Sequence, residues 1–237
     1  MKYTKINLML PTFGRVTNKK LPRFIASCVA LVSNPKNIYL TFLVNLGDVE
    51  TKKYLLNLRL PCQFEVLYWG QEKPHLGRMY NQIYEQTKFK EPGTLVSMVG
   101  DDMEWKTSGY DIAILDAINK CDGLGLIYCN DAYVQGKKLC VNIFTTRKYV
   151  ELTKHPFMCE LFKAYFLDTV WMKVAIKTKT AYYLQDVVLK HHHCSANPKH
   201  KDLTAVRLGK ERIAFKVAYR MCDEYAGKII KNLKGVL

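Results

Sequence analysis

Apolar positions along this chain fall into short continuous runs and into longer stretches at helical spacing, and the two alternate. Ile6 to Leu10 is a strand-like run, interrupted at Asn7, that stops at the loop-forming cluster Pro11-Thr12-Phe13-Gly14. From Leu21 to Val32, Phe24, Ile25, Cys28, Val29 and Val32 recur at helical spacing, and Ser33-Asn34-Pro35 ends the run. Ile38 to Val44 is rich in β-branched and aromatic residues and reads as a strand, Thr51 to Leu58 as a helix, and Phe64 to Trp69 as a strand. Gly70 to Pro74 makes a loop, Leu76 to Thr87 a helix, and Thr94 to Val99 an almost wholly apolar strand of the kind buried on both faces. This alternation predicts an α/β three-layer sandwich around a mainly parallel sheet.

Beyond Gly100-Asp101-Asp102 the pattern continues with a helix over Ser108 to Lys120 and strands over Gly125 to Cys129 and Leu139 to Phe144. A long helix is expected over Cys159 to Lys177 and a final strand over Ala181 to Leu189. Ile213, Val217, Met221 and Tyr225 then recur every four residues, which predicts an amphipathic C-terminal helix with a basic outer face. From Ala196 onward there are ten Lys+Arg and four Asp+Glu, or +6 in 42 residues. The expected organisation is one α/β domain over residues 1–195 and a basic, mainly helical extension over 196–237.

Composition narrows the partners. With 49% hydrophobic and 24% charged residues, the 237-residue chain can bury a core and is not a disordered polycation. Its 36 Lys+Arg against 21 Asp+Glu give +15, which favours an anionic partner: nucleic acid, anionic lipid headgroups or a phosphate-bearing small molecule. Nucleic acid is the least favoured of the three, because the charge is spread along the chain and no aromatic-basic motif or recognition helix stands out. The basic C-terminal segment suggests peripheral contact with an anionic membrane. None of the eight cysteines forms a CxxC pair, which argues against a zinc knuckle. The first residues lack a signal-peptide pattern and no run approaches ~18 apolar residues, so the expected compartment is reducing and cytoplasmic.

Three groups of residues could carry chemistry. Asp101 and Asp102 directly follow a strand expected to be buried, at the carboxyl end where open α/β sheets bind ligands, and adjacent carboxylates suit a hard divalent cation. A solvated turn accounts for Gly-Asp-Asp equally well. His191-His192-His193 closes the last strand, so His191 and His193 share one face and offer nitrogen to an ion such as Mn²⁺. Asp168 lies in the aromatic stretch Phe166-Leu167-Asp168-Thr169-Val170-Trp171, either on a wet helix face or as a general base tuned by burial. Trp105, three residues past the acid pair, could stack on an acceptor ring, whereas Trp69 and Trp171 read as core.

Taken together and in this order, these residues resemble the GT-A glycosyltransferases, especially the family-2-like nucleotide-sugar enzymes. Val99-Gly100-Asp101-Asp102 looks like the DxD metal motif in its xDD form, with Gly100 where a first Asp often stands. Leu8 to Arg15 resembles the family's first strand and Pro-Thr loop, which implies that Pro11, Thr12, Gly14 and Arg15 meet the donor. Asp48 in Asn45-Leu46-Gly47-Asp48 corresponds to an acid on the base or ribose, and His75 to Asn81 to the helix opening that faces the diphosphate, with Gly77, Arg78 and Asn81. The turn, helix-capping and solvated-helix readings of Gly14, Asp48 and Arg78 stay open beside these roles. Tyr183 to His193 resembles the closing strand and its histidine pair. The resemblance, over roughly residues 5–195, implies a metal-dependent hexosyltransferase moving a sugar from a nucleoside diphosphate sugar, most often UDP-linked, to an acceptor hydroxyl with inversion. It further implies Mn²⁺ or Mg²⁺ on Asp102, His191 and His193, Asp101 on the donor, and Asp168 as base. The rival readings are a nucleic-acid-binding protein and a glycosyltransferase-like module that binds without catalysing.

Overall fold

A computed structural model of the chain describes residues 1–71, 73–133, 136–192 and 215–235. Eight strands form one sheet: β1 (Lys5–Thr12), β2 (Ile38–Asn45), β3 (Gln63–Trp69), β4 (Thr94–Met98), β5 (Met103–Trp105), β6 (Leu126–Asn130), β7 (Ile143–Thr146) and β8 (Ala181–His191). Their order is β3-β2-β1-β4-β7-β6-β8-β5. The pairs β1/β2, β1/β4, β2/β3 and β6/β8 are parallel, and β4/β7, β6/β7 and β5/β8 antiparallel. The expected α/β sandwich with a mainly parallel sheet is therefore present, with its antiparallel pairings confined to the second half.

Helices α1 (Lys20–Leu31), α2 (Val49–Leu56), α3 (Leu76–Gln86), α4 (Tyr110–Lys120), α5 (Arg147–Thr153), α6 (Leu167–Thr178) and α7 (Phe215–Leu233) cover the two faces. Alternate residues of a strand point to opposite faces, and this splits the core in two. Met9, Leu43, Val96, Tyr128 and Ile143 join α3, α5, α6 and α7 in one cluster. Leu8, Phe42, Leu95, Ile127 and Phe144 join α1, α2 and α4 in the other. Asn7, which interrupts the first apolar run, is buried but satisfied: its amide donates to Thr87 Oγ1 at 3.2 Å and accepts from Thr41 Oγ1 at 2.9 Å.

The structure corrects three expected elements and adds two. Strand β7 occupies Ile143–Thr146, so most of the stretch from Leu139 is not strand. The long helix over Cys159 to Lys177 begins only at Leu167, because Phe166 takes a left-handed conformation, φ 70°. Phe157, Met158, Cys159 and Phe162 are buried there in irregular chain, and their apolar spacing imitates a helix. The three-residue β5 and the short α5 were not anticipated. In α7 the buried line is Ala218, Cys222, Ala226, Ile229 and Leu233, one position on from the expected one, and Val217 is 52% exposed. Small residues at four-residue spacing let α7 lie close against α6, so this helix is part of the first core cluster. Ile213 lies outside the described residues.

Candidate active site

The carboxyl ends of β1, β4, β6 and β8 bring the sequence-predicted groups together. Strand β4 ends at Met98, and Asp101 and Asp102 occupy the turn that follows it, closed by Met103 N donating to Gly100 O at 3.2 Å. The Tyr80 hydroxyl holds the turn by donating to Val99 O at 2.7 Å. A Cβ on Gly100 would sit 2.7 Å from Asp102 Oδ1. A side chain at this position would therefore require the Asp102 carboxylate to shift.

Asp101 is 4% exposed and pairs with Arg15, whose Nε lies 3.4 Å from its Oδ1, while its buried Oδ2 has no hydrogen-bond partner among the described residues. Burial raises the Asp101 carboxyl above its ordinary value against the pull of Arg15. Burial also works against ionisation of Asp102, yet His191, Arg15 and Lys20 outweigh it and hold that carboxyl below its ordinary value. His191 Nε2 lies 3.6 Å from Asp102 Oδ1.

The end of β8 is fixed from three sides. His191 N donates to Asp131 O at 2.9 Å, and His192 N donates to Asp102 O at 3.0 Å. On the opposite face His192 Nε2 meets Glu104 Oε2 at 2.8 Å. The expected division is present, with His191 toward the acid pair and His192 away from it. His193 lies outside the described residues.

Asp168 occupies the first turn of α6, where its Oδ1 accepts from Thr169 N at 2.7 Å. Burial raises its carboxyl, and both Thr169 and the charge of His191 oppose the rise without cancelling it. Asp168 and Asp102 thus flank His191 electrostatically, one raised and one lowered. Separation of this kind between neighbouring carboxyls is what an acid/base site requires.

Other expected residues divide. Pro11 and Thr12 end β1, both buried. Gly14, at φ +62°, donates its N–H to Asp48 Oδ2 at 2.6 Å, while Asp48 Oδ1 caps α2 by accepting from Thr51 N at 3.1 Å. Asp48 is therefore both a cap and a tie between the two loops expected at the donor base. Gly77 and Asn81 depart from expectation. A Cβ on Gly77 would lie 2.7 Å from Cys159 O, so glycine there permits packing of α3 against the segment before α6. The Asn81 amide donates to Met158 O at 3.0 Å and Glu160 Oε1 at 2.9 Å and accepts from Met158 N at 2.7 Å. With both ends engaged it is a bracket between these segments. Arg78, half exposed, pairs through Nε with Glu160 Oε2 at 3.2 Å. Trp105 is corrected outright: it is 1% exposed and stacked on Tyr110 at 3.7 Å, and offers no face to an acceptor.

Sequence reading missed two buried charges here. Lys20, 5% exposed, acts electrostatically on both Asp101 and Asp102. Asp131 is fully buried, with its Oδ1 accepting from Gly136 N at 3.0 Å and its Oδ2 without a hydrogen-bond partner among the described residues. The signal for Asp131 was an acid directly after a buried strand, as for Asp101; for Lys20 there was none.

No family model matches the sequence, and no curated protein sequence does. Solved structures do match. S. aureus TarS 1–349 in complex with UDP-GlcNAc superposes with a TM-score of 0.66 at 11% identity, covering 98% of this chain and 73% of that one. The Pyrobaculum calidifontis mannosyltransferase PcManGT, in complex with GDP-Man and Mn²⁺, gives 0.58 at 9% identity over 100% and 77%. The chain has the GT-A glycosyltransferase fold. M. tuberculosis glucosyl-3-phosphoglycerate synthase also matches, with a TM-score of 0.55 at 13% identity over 97% and 80%. Against the longer S. aureus TarS chain this GT-A chain spans 44%.

Proposed function

We propose that this protein transfers a sugar from a nucleoside diphosphate sugar, UDP-linked, to an acceptor hydroxyl. The observation that carries the reading is the pairing of Asp102 with His191 at 3.6 Å, at the carboxyl ends of β4 and β8, with Asp168 in the first turn of α6 within electrostatic reach of His191. Structural neighbours in complex with UDP-GlcNAc and with GDP-Man and Mn²⁺ support the donor class.

The donor chemistry of Asp102 and His191, a carboxylate and an imidazole 3.6 Å apart, fits a divalent ion. Asp102 and His191 would hold Mn²⁺ or Mg²⁺, with His193 as the further candidate. Among the described residues no group of three or more His, Cys, Asp or Glu gathers at one point. Such an ion supplies Lewis-acid neutralisation of the diphosphate leaving group.

The chain's own groups perform the rest. The loop tied by Gly14 and Asp48 receives the nucleoside, and Arg15 adds positive charge at the diphosphate. Asp168 takes the proton of the acceptor hydroxyl as its oxygen bonds to the anomeric carbon. The bond to the diphosphate breaks on the opposite side and its electron pair leaves with the phosphate, which inverts the centre. Among the described residues no helix is long and apolar enough to cross a membrane, and the lysine-rich outer face of α7 supports reversible contact with anionic lipid, where a membrane-borne acceptor would be met. A thermal-shift comparison of nucleoside diphosphates with and without Mn²⁺ tests the donor class. A metal-dependent rise with UDP is expected, because a ligand specific to the native state stabilises it by mass action; no rise with any nucleotide would refute it.

A further inference from the structure

His191 is the last residue of β8, and a strand end frays unless its neighbours hold it. Backbone pairing holds this end with few bonds. Strand β5 pairs with β8 over only three residues, Met103 with His191, Glu104 with Lys190 and Trp105 with Leu189. On its other side β8 loses step with β6, because Cys129 pairs with Leu184 but the next residue, Asn130, with Val188. Where the β5–β8 ribbon begins, a side chain supplements the backbone: Thr107 Oγ1 donates to Asp186 O at 3.0 Å and accepts from Val188 N at 2.9 Å. At the end that carries His191, Glu104 occupies the equivalent place.

Glu104 lies on the face turned away from the acid pair, and its Oε2 is 2.8 Å from His192 Nε2. It is itself anchored. Lys106 Nζ lies 2.5 Å from its Oε1, and Arg23 Nε, on α1, 4.0 Å from its Oε2. Trp105 N donates to Ser27 Oγ at 3.0 Å, which ties β5 to the same helix. The His192 and Glu104 side chains are mostly buried, so their contact is less weakened by water than a surface pair. One residue links both sides of the site, because the His192 N–H donates to Asp102 O at 3.0 Å while its ring meets Glu104. Extending the metal-assisted reading above, on which this rests, we propose that Glu104 is a positioning residue: by clamping His192 from the reverse face, it keeps the end of β8 against the acid-pair turn and holds His191 where it can share an ion with Asp102.

The test uses the full chain and two measurements: Mn²⁺ titration in the presence of UDP, followed by electron paramagnetic resonance, and hydrogen exchange of the His192 amide by NMR without metal. Glu104→Ala should weaken Mn²⁺ binding by about tenfold, the scale of losing a group that orients a metal ligand, and should speed exchange of the His192 amide. Glu104→Gln removes the charge but keeps an oxygen for the imidazole, so it should stay near wild type in both. His192→Ala removes the same contact from the other side and serves if Glu104→Ala does not fold; it should weaken Mn²⁺ binding equally, and the double variant should lose no more than either single one. Unchanged Mn²⁺ affinity or unchanged amide exchange in Glu104→Ala would overturn the proposal. So would a loss in Glu104→Gln as large as in Glu104→Ala, which would make the effect one of charge, or losses that add in the double variant. A wild type that takes up no Mn²⁺ even with UDP would instead remove the metal reading itself, and the amide exchange, which needs no ion, distinguishes that failure from failure of the clamp.

Discussion

Burial raises the Asp168 carboxyl while the charge of His191 holds the rise in check, and a general base must be ionised to act. Its contribution is therefore lost as pH falls through that raised value, so the acid limb of the transfer rate should lie above the ordinary carboxylate range of about 3.9. Asp168→Asn should cut turnover by ~10²-fold or more and abolish that limb, while UDP affinity with Mn²⁺ stays near wild type. A pH profile of kcat/KM beside calorimetry checks this, and undiminished turnover would take Asp168 out of the mechanism. At this scale the sequence was informative where a polar residue interrupts an apolar context. Asp101, Asp102 and the histidine run stand out against strands, and Asp168 against aromatics. Lys20 was hidden because burial of one lysine among 36 basic residues leaves no mark in the sequence. Trp105 misled because position beside the acid pair says nothing about which face a side chain takes, and pairing of β5 with β8 turned it inward.

Elements were legible in proportion to the regularity of their burial. Strands β1, β2 and β4 are covered on both faces and read as apolar runs, whereas β5 is too short for any period to show. The segment 159–166 reads as helix in sequence because its buried apolar residues pack against α3, and tertiary contact set their spacing. That contact carries its own prediction. Asn81→Ala removes the bracket to Met158 and Glu160 and leaves the Met158 backbone groups without it. It should cost about 1–3 kcal/mol in urea unfolding and leave UDP affinity with Mn²⁺ within about twofold. Loss of UDP affinity at unchanged stability would restore Asn81 to the donor site. The apolar line of α7 was misplaced by one position because its buried residues are small, and alanine and cysteine weigh less in a hydrophobic pattern than valine and tyrosine.

For the molecule as a whole, the excess of positive charge is consistent with the anionic partners that the site and surface invite. On α7 the acids are already paired, Asp223 with Lys173 at 2.7 Å and Glu224 with Arg220 at 3.0 Å, while Lys216, Lys228, Lys231 and Lys234 are exposed. Each lysine near an anionic surface adds about 1 kcal/mol. The wild type should therefore sediment with vesicles containing phosphatidylserine, and the triple change Lys228→Glu, Lys231→Glu, Lys234→Glu should abolish this without altering nucleotide affinity. Equal sedimentation of both proteins would exclude α7 as the contact. The GT-A fold sets the stage for donor binding, but the central claim is that Asp102 and its neighbours form a metal-assisted nucleoside diphosphate site. Calorimetric titration of UDP with Mn²⁺ into the wild type and Asp102→Ala tests it most directly. The account predicts saturable binding to the wild type and at least about tenfold weaker binding to the variant. No binding to the folded wild type, or equal binding to both, would contradict it.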